Sequence, residues 1–179
     1  MPWPVSVNVS ARNIQSPAFP ALVMALLRES GTAVGELCLE VTETALVADA
    51  TVAHRTLATL ADSGVAMSVD DFGMGYTSLF GLRTLPVTEI KIDRAFVMGL
   101  DESAQDRSIV RSIIELAHGL GCSVTAEGVE SAGTAQWLTA ASCDEAQGYY
   151  FARPAPWRDL RTHIFEHGAG ALVADPTPT

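Results

Sequence analysis

Five short segments of this chain alternate in the same phase, and that phase constrains the fold more tightly than any single motif. One set of alternate positions is apolar: Val5, Val7 and Val9; Leu37, Leu39 and Val41; Val65, Met67 and Val69; Ile90 and Ile92; Val124 and Ala126. The other set is Ser6 and Asn8; Cys38, Glu40 and Thr42; Ala66, Ser68 and Asp70; Glu89, Lys91 and Asp93; Ser123, Thr125 and Glu127. Successive strand residues point to opposite faces, so each set occupies one side of a sheet. Parallel strands buried between helix layers are apolar on both sides, and these are not. The pattern therefore sends Asn8, Glu40, Asp70, Lys91 and Glu127 toward one interior, each near the carboxyl end of its strand. That describes a barrel with a polar mouth, where barrel enzymes place their active sites. A solvated face on an open sheet accounts for one or two such strands, not for five.

Helix signals fill the gaps. Ser16-Pro17 reads as N-cap and first helical residue, followed by Leu22, Leu26 and Leu27 and stopped by Gly31. Asp49 caps an amphipathic segment to Ser63, ended by Gly64. Asp101 or Ser103 starts a helix carrying Ile109, Val110, Ile113, Ile114 and Leu116, stopped by Gly119 and Gly121. Thr134 to Ala141 is helical, Glu145 to Phe151 extended, and Trp157 to His167 a last amphipathic helix. Alternating strands and helices predict an α/β fold with a parallel sheet and right-handed crossovers. With 179 residues the chain makes one domain, residues 1–167, and a flexible tail, residues 168–179.

A formal net charge of −10 opposes a nucleic-acid polymer or an anionic membrane as partner, while a small phosphate ligand bound through metal stays open. Cys38, Cys122 and Cys143 read as small buried hydrophobes in a reducing compartment. No leader or membrane-spanning run is visible, which reads as a soluble, cytoplasmic protein. The four histidines fall on predicted helices and receive no catalytic role.

The chemistry concentrates where the run Val65–Val69 ends in Asp70-Asp71 and a Gly73–Gly75 loop, with a helix start at Thr77. A solvated Asp-Asp turn is the plain alternative. Asn8, Glu40, Asp70 and Asp71 are hard oxygen donors that suit Mg²⁺ or Mn²⁺ rather than zinc. Two such cations clamp the attacking and leaving oxygens of a phosphodiester displacement. Lys91 orients the water or serves as a structural ion-pair partner. Glu127 is a general base, a further metal ligand, or both.

The ordered set Val-Asn8-Val-Ser, Glu40-Val-Thr-Glu43, Asp70-Asp71-Phe-Gly-Met-Gly-Tyr-Thr-Ser-Leu, Lys91-Ile-Asp93-Arg, Ala-Glu127-Gly-Val-Glu130 and Gln147-Gly-Tyr-Tyr-Phe-Ala-Arg-Pro154 closely resembles the EAL-domain family. The resemblance implies a bacterial cyclic di-GMP phosphodiesterase on a (β/α) TIM-like barrel, forming linear pGpG by a two-metal mechanism. It puts Asn8, Glu40, Asp70 and Asp71 at metal-ligand positions, Lys91 at the water-contacting lysine and Glu127 at the base. Glu43 matches the residue that anchors the loop of Gly73 and Gly75. Asp93, Glu130 and Gln147 match further site or guanine-side positions.

Two departures follow from the same comparison. Met74 stands where the family usually has threonine or a small residue. No Glu-Ala-Leu motif precedes Val5, so the barrel is expected to lack its first two strands and one metal ligand. The edges left open are expected to be covered by a second copy or by a neighbouring domain. Three functions compete: the phosphodiesterase, a non-catalytic binder of cyclic di-GMP or of a partner protein, and a barrel enzyme using Lys91 as a Schiff-base nucleophile.

Overall fold

Six parallel strands form one sheet in the order of the sequence, β1-β2-β3-β4-β5-β6. They are β1 Val5–Val9, β2 Leu37–Thr42, β3 Ala66–Phe72, β4 Glu89–Ile92, β5 Ser123–Glu127 and β6 Glu145–Gln147. This is a computed structural model, and it describes residues 4–47, 49–73 and 79–160. Among these residues β1 and β6 are the two edges, so the sheet is an open part of a barrel, as expected of an α/β fold lacking two strands. Gly75, Thr77, His163, His167 and the expected tail lie outside the described residues, as does most of the last expected helix. No described helix is long and apolar enough to cross a membrane.

The helices are α1 Ala11–Ile14, α2 Phe19–Ser30, α3 Glu43–Val47, α4 Ala50–Asp62, α5 Leu79–Thr84, α6 Arg94–Val97, α7 Ala104–Gly119 and α8 Ala132–Ala140. Side-chain caps start α4, α7 and α8, whereas α2 begins without one. Asp49 accepts from Thr51 N and Val52 N at 3.1 Å, Ser103 from Asp106 N at 3.1 Å, and Ser131 from Thr134 N at 2.9 Å. Each such cap is worth about 1 kcal/mol. The expected helix start at Ser16-Pro17 is wrong. Ser10 caps the short α1 instead, and α2 begins at Phe19 with Pro20 in its first turn. Ser16 O only accepts from Phe19 N, in the turn between the two helices.

Leu39, Val41, Met67, Val69, Ile90, Ile92, Val124 and Ala126 are all buried, in one core with Leu57, Leu60, Ile113, Ile114, Ala117 and Leu138 of the helices. Burying side chains of this size is worth about 1.5–3 kcal/mol each, which is why the phase of the apolar set decides which face of the sheet packs against the helices. β1 departs from the expectation: Val5 and Val7 are 62% and 44% exposed, and only Val9 is buried. Their face of the sheet is the apolar one, but β1 has a strand neighbour on one side only.

Candidate active site

β4 is short, and its outward Ile90 and Ile92 are fully buried, so Lys91 between them must point into the interior. Its ammonium lies 2.5 Å from Glu40 Oε1 of β2 and 2.9 Å from Glu127 Oε1 of β5. Register puts Glu40 opposite Ser68 and Ser68 opposite Glu89, so Lys91 lies two residues beyond Glu40's row. The contact follows the stagger by which tilted barrel strands bring inward residues of alternate strands into one layer. Gln147 of β6 closes the chain, donating from Nε2 to the same Glu127 oxygen at 2.6 Å. Glu40, Lys91, Glu127 and Gln147 thus form one bonded line across four of the strands.

Burial alone would lower the Lys91 pKa. Its bonds to Glu40 and Glu127 outweigh that and hold it well above the ordinary 10.5. With a carboxylate on either side the amine is held in its charged form, which argues against the Schiff-base reading, since that chemistry needs a free amine near neutrality. Burial pushes the Glu127 carboxyl above its ordinary 4.5; Lys91 opposes this, while the charges of Asp70 and Glu40 add to it. A carboxylate made more basic in this way suits a general base.

β3 ends in the second cluster. Asp70 Oδ1 accepts from the Asp71 backbone N–H at 2.9 Å, and Asp71 itself has φ 54°, a left-handed conformation that turns the chain into Gly73. Burial, the Asp70 charge and a side-chain bond to Asp93 all raise the Asp71 pKa. Asp93 also caps α6, accepting from Ala95 N at 2.7 Å. Gly73 packs against Phe96, whose Cε2 would lie 2.7 Å from a Cβ at that position. Glu43 is buried at the start of α3, and the loop it was expected to anchor lies beyond the described residues.

Asn8 is exposed on β1, opposite Glu40 in register. Glu130 is exposed too, and with Gln147, Arg94, Tyr149 and Arg153 it lines a cavity of about 540 Å³ beside Glu127. The Arg153 guanidinium sits 4.4 Å from the Tyr149 ring centroid. Arg94 and Arg153 stand inside the motifs yet drew no role from the sequence, because an exposed arginine carries no pattern of its own. The inward residues further back are bonded to one another as well: Thr125 Oγ1 donates to Glu89, and Cys38 Sγ lies 3.8 Å from Ser68 Oγ. All three cysteines are free.

The donors toward a cation are all oxygens, and the mutual crowding of Asp70, Asp71 and Asp93 is what a cation would relieve. Among the described residues, however, no three His, Cys, Asp or Glu side chains form a group that could hold a metal ion by themselves.

Comparison with known proteins supplies the family. The EAL domain profile matches residues 2–154. The cyclic di-GMP phosphodiesterase NbdA of Pseudomonas aeruginosa is 40% identical over 160 residues, covering 89% of this chain and 20% of NbdA. The solved PaMucR phosphodiesterase in complex with cyclic di-GMP superposes with a TM-score of 0.84 at 37% identity, covering 88% of this chain and 64% of that one. The EAL domain of Mycobacterium smegmatis DcpA gives a TM-score of 0.86 at 36% identity, covering 91% and 73%. The chain spans about a quarter or less of the length of the curated relatives it matches.

Proposed function

This chain belongs to the EAL domain family, and from that premise we propose that it hydrolyses one phosphodiester bond of cyclic di-GMP to give linear pGpG. The observation that carries the reading is the bonded line Glu40–Lys91–Glu127–Gln147 beside the Asp70–Asp71–Asp93 cluster. Glu127, made more basic by burial, takes the proton of the attacking water. The water oxygen bonds to phosphorus, the bond from phosphorus to the leaving ribose oxygen breaks, and the departing oxygen takes a proton from solvent water while Glu127 returns its own to solvent. Lys91 contributes a permanent positive charge beside the developing negative charge. Glu40, Asp70, Asp71 and Asn8 would hold Mg²⁺ or Mn²⁺, which supplies charge neutralisation at the phosphate when bound. The exposed Val5 and Val7 support covering of the β1 edge by a second copy or a neighbouring segment.

A second reading has one observation in its favour: Lys91 is already satisfied by two carboxylates. That state suits a receptor that binds cyclic di-GMP without cleaving it. Turnover to pGpG with Mg²⁺ or Mn²⁺, measured beside Glu127→Gln, separates the two. Turnover abolished in the variant supports the enzyme; tight binding with no turnover in the native protein replaces it by the receptor.

A further inference from the structure

Part of the mouth is made of loops, which the sheet's hydrogen-bond ladder does not hold. Residues 128–130 carry Glu130 to the cavity wall, and the turn after β6 carries Tyr149 there. These two segments are stitched to each other. Val129 N donates to Gln147 O and Tyr150 N to Val129 O, both at 3.0 Å. Gly148 lies so close that a Cβ there would collide with the Val129 carbonyl oxygen.

The stitched pair is held from outside by the loop between α6 and α7. Asp101 Oδ2 accepts from Ser131 Oγ at 2.6 Å, and Ser131 is the N-cap of α8, immediately after Glu130. Arg107 sets the shape of that loop, donating from Nε to Leu100 O at 2.6 Å and from Nη2 to Asp101 O at 2.9 Å. Gly133, in the first turn of α8, leaves the carboxylate room: a Cβ there would lie 2.9 Å from Asp101 Oδ1. A hydrogen bond to a carboxylate is stronger than one between neutral groups, so this contact is more than incidental packing.

We propose that Asp101 is a positioning residue for the ligand site, latching the β5–α8 loop and, through Val129, the Gln147–Tyr150 turn into the conformation that forms the cavity wall. The identity of the ligand rests on the phosphodiesterase reading; the latch rests on the contacts alone. A wall that samples other conformations binds more weakly in proportion to the fraction of time it is formed. Asp101 touches neither Glu127 nor Lys91 in any described contact, so its loss weakens binding and spares the chemical step.

The test compares Asp101→Ala and Asp101→Asn by cyclic di-GMP calorimetry, steady-state turnover and amide hydrogen exchange at Val129 and Tyr150. Asp101→Ala is expected to raise Kd and KM about tenfold, with kcat near native, and to speed exchange at both amides. Asp101→Asn keeps an oxygen that accepts from Ser131 and is expected to restore most of both. Unchanged exchange in Asp101→Ala overturns the latch, and so do equal losses in the two variants, which would assign the effect to charge. A native protein without affinity for cyclic di-GMP, in which Asp101→Ala still speeds exchange, removes the proposed function and leaves the latch standing.

Discussion

Strands β1 and β4 carry the same kind of alternation and end in opposite environments. β1 reads Val-Ser-Val-Asn-Val and is exposed at every position but the last; β4 reads Glu-Ile-Lys-Ile, with Ile90, Lys91 and Ile92 all buried. Alternation chooses the face on which a side chain lies, and both strands obey it. Burial is chosen by neighbours: β4 is flanked by β3 and β5, whereas β1 pairs only with β2. A lysine on the second kind of strand would be a solubilising edge charge. On β4 it is an ion-pair centre, 4% exposed.

The sharpest way to break this contrast is Lys91→Met. It leaves Glu40 and Glu127 in the interior without their cation, a cost of about 3–5 kcal/mol. On the proposed function it also lowers turnover by about 10²–10³. Urea unfolding with the midpoint and slope both recorded measures the first, and single-turnover kinetics the second. A Lys91→Met protein as stable as the native one would mean that the ion pair contributes no more than a surface pair does.

Paired substitutions on the outward faces come next. Ile90→Ala is expected to cost about 2–5 kcal/mol, as for other fully buried aliphatic side chains. Val7→Ala, on the same face, is expected to stay within about 0.5 kcal/mol in the isolated monomer, where nothing covers β1. If thermal unfolding finds Val7→Ala nearly as costly as Ile90→Ala, the β1 face is covered in solution and the contrast between the strands disappears.

A subtler contrast runs along β5, between its two ends. At the mouth, burial raises Glu127; at the far end Asp144 is lowered, chiefly by its bond to His118 at 2.8 Å and further by accepting from Val124 N. Glu127 must be ionised to act, so the acid limb of kcat is expected above pH 4.5, with turnover falling about tenfold per unit below it. Asp144 works in the other direction. Its folded pKa lies below its unfolded one, so its contribution to stability is full above about the ordinary 3.8 and is lost as pH falls through the lower folded value. Asp144→Asn is expected to flatten the acid end of the stability profile by a small amount, because the pair is well exposed. A variant that leaves that profile unchanged would assign the His118 contact no energetic role.

Much of this was legible in the residues. The inward carboxylates and Lys91 could be assigned to one interior because strand period is a covalent property of extended backbone. The cap Asp49 could be read, and the next narrowed to Asp101 or Ser103, because a short polar side chain ahead of an apolar repeat has few other uses. Other features depended on contacts distant in the chain. Asp93 was expected at the end of a strand and turned out to cap α6 while bonding Asp71, which requires β3 and β4 to be side by side. The α1 helix, only four residues long, has no periodicity to detect. Asp101 and Arg107 lie outside the family motifs altogether, and the contact of Asp101 with Ser131 spans 30 residues of sequence.

By itself, then, the order of residues determined which side chains share a face, where the helix capped by Asp49 starts, and that oxygen donors and one lysine converge on a common interior, because these follow from local backbone geometry. Tertiary structure alone decided that Lys91 is shared between Glu40 and Glu127, that Glu127 is more basic and Asp144 more acidic than usual, and that β1 is exposed while β4 is buried. Those properties arise from distances between chain-distant groups and from the solvent each one loses, and neither is written in any local stretch of sequence.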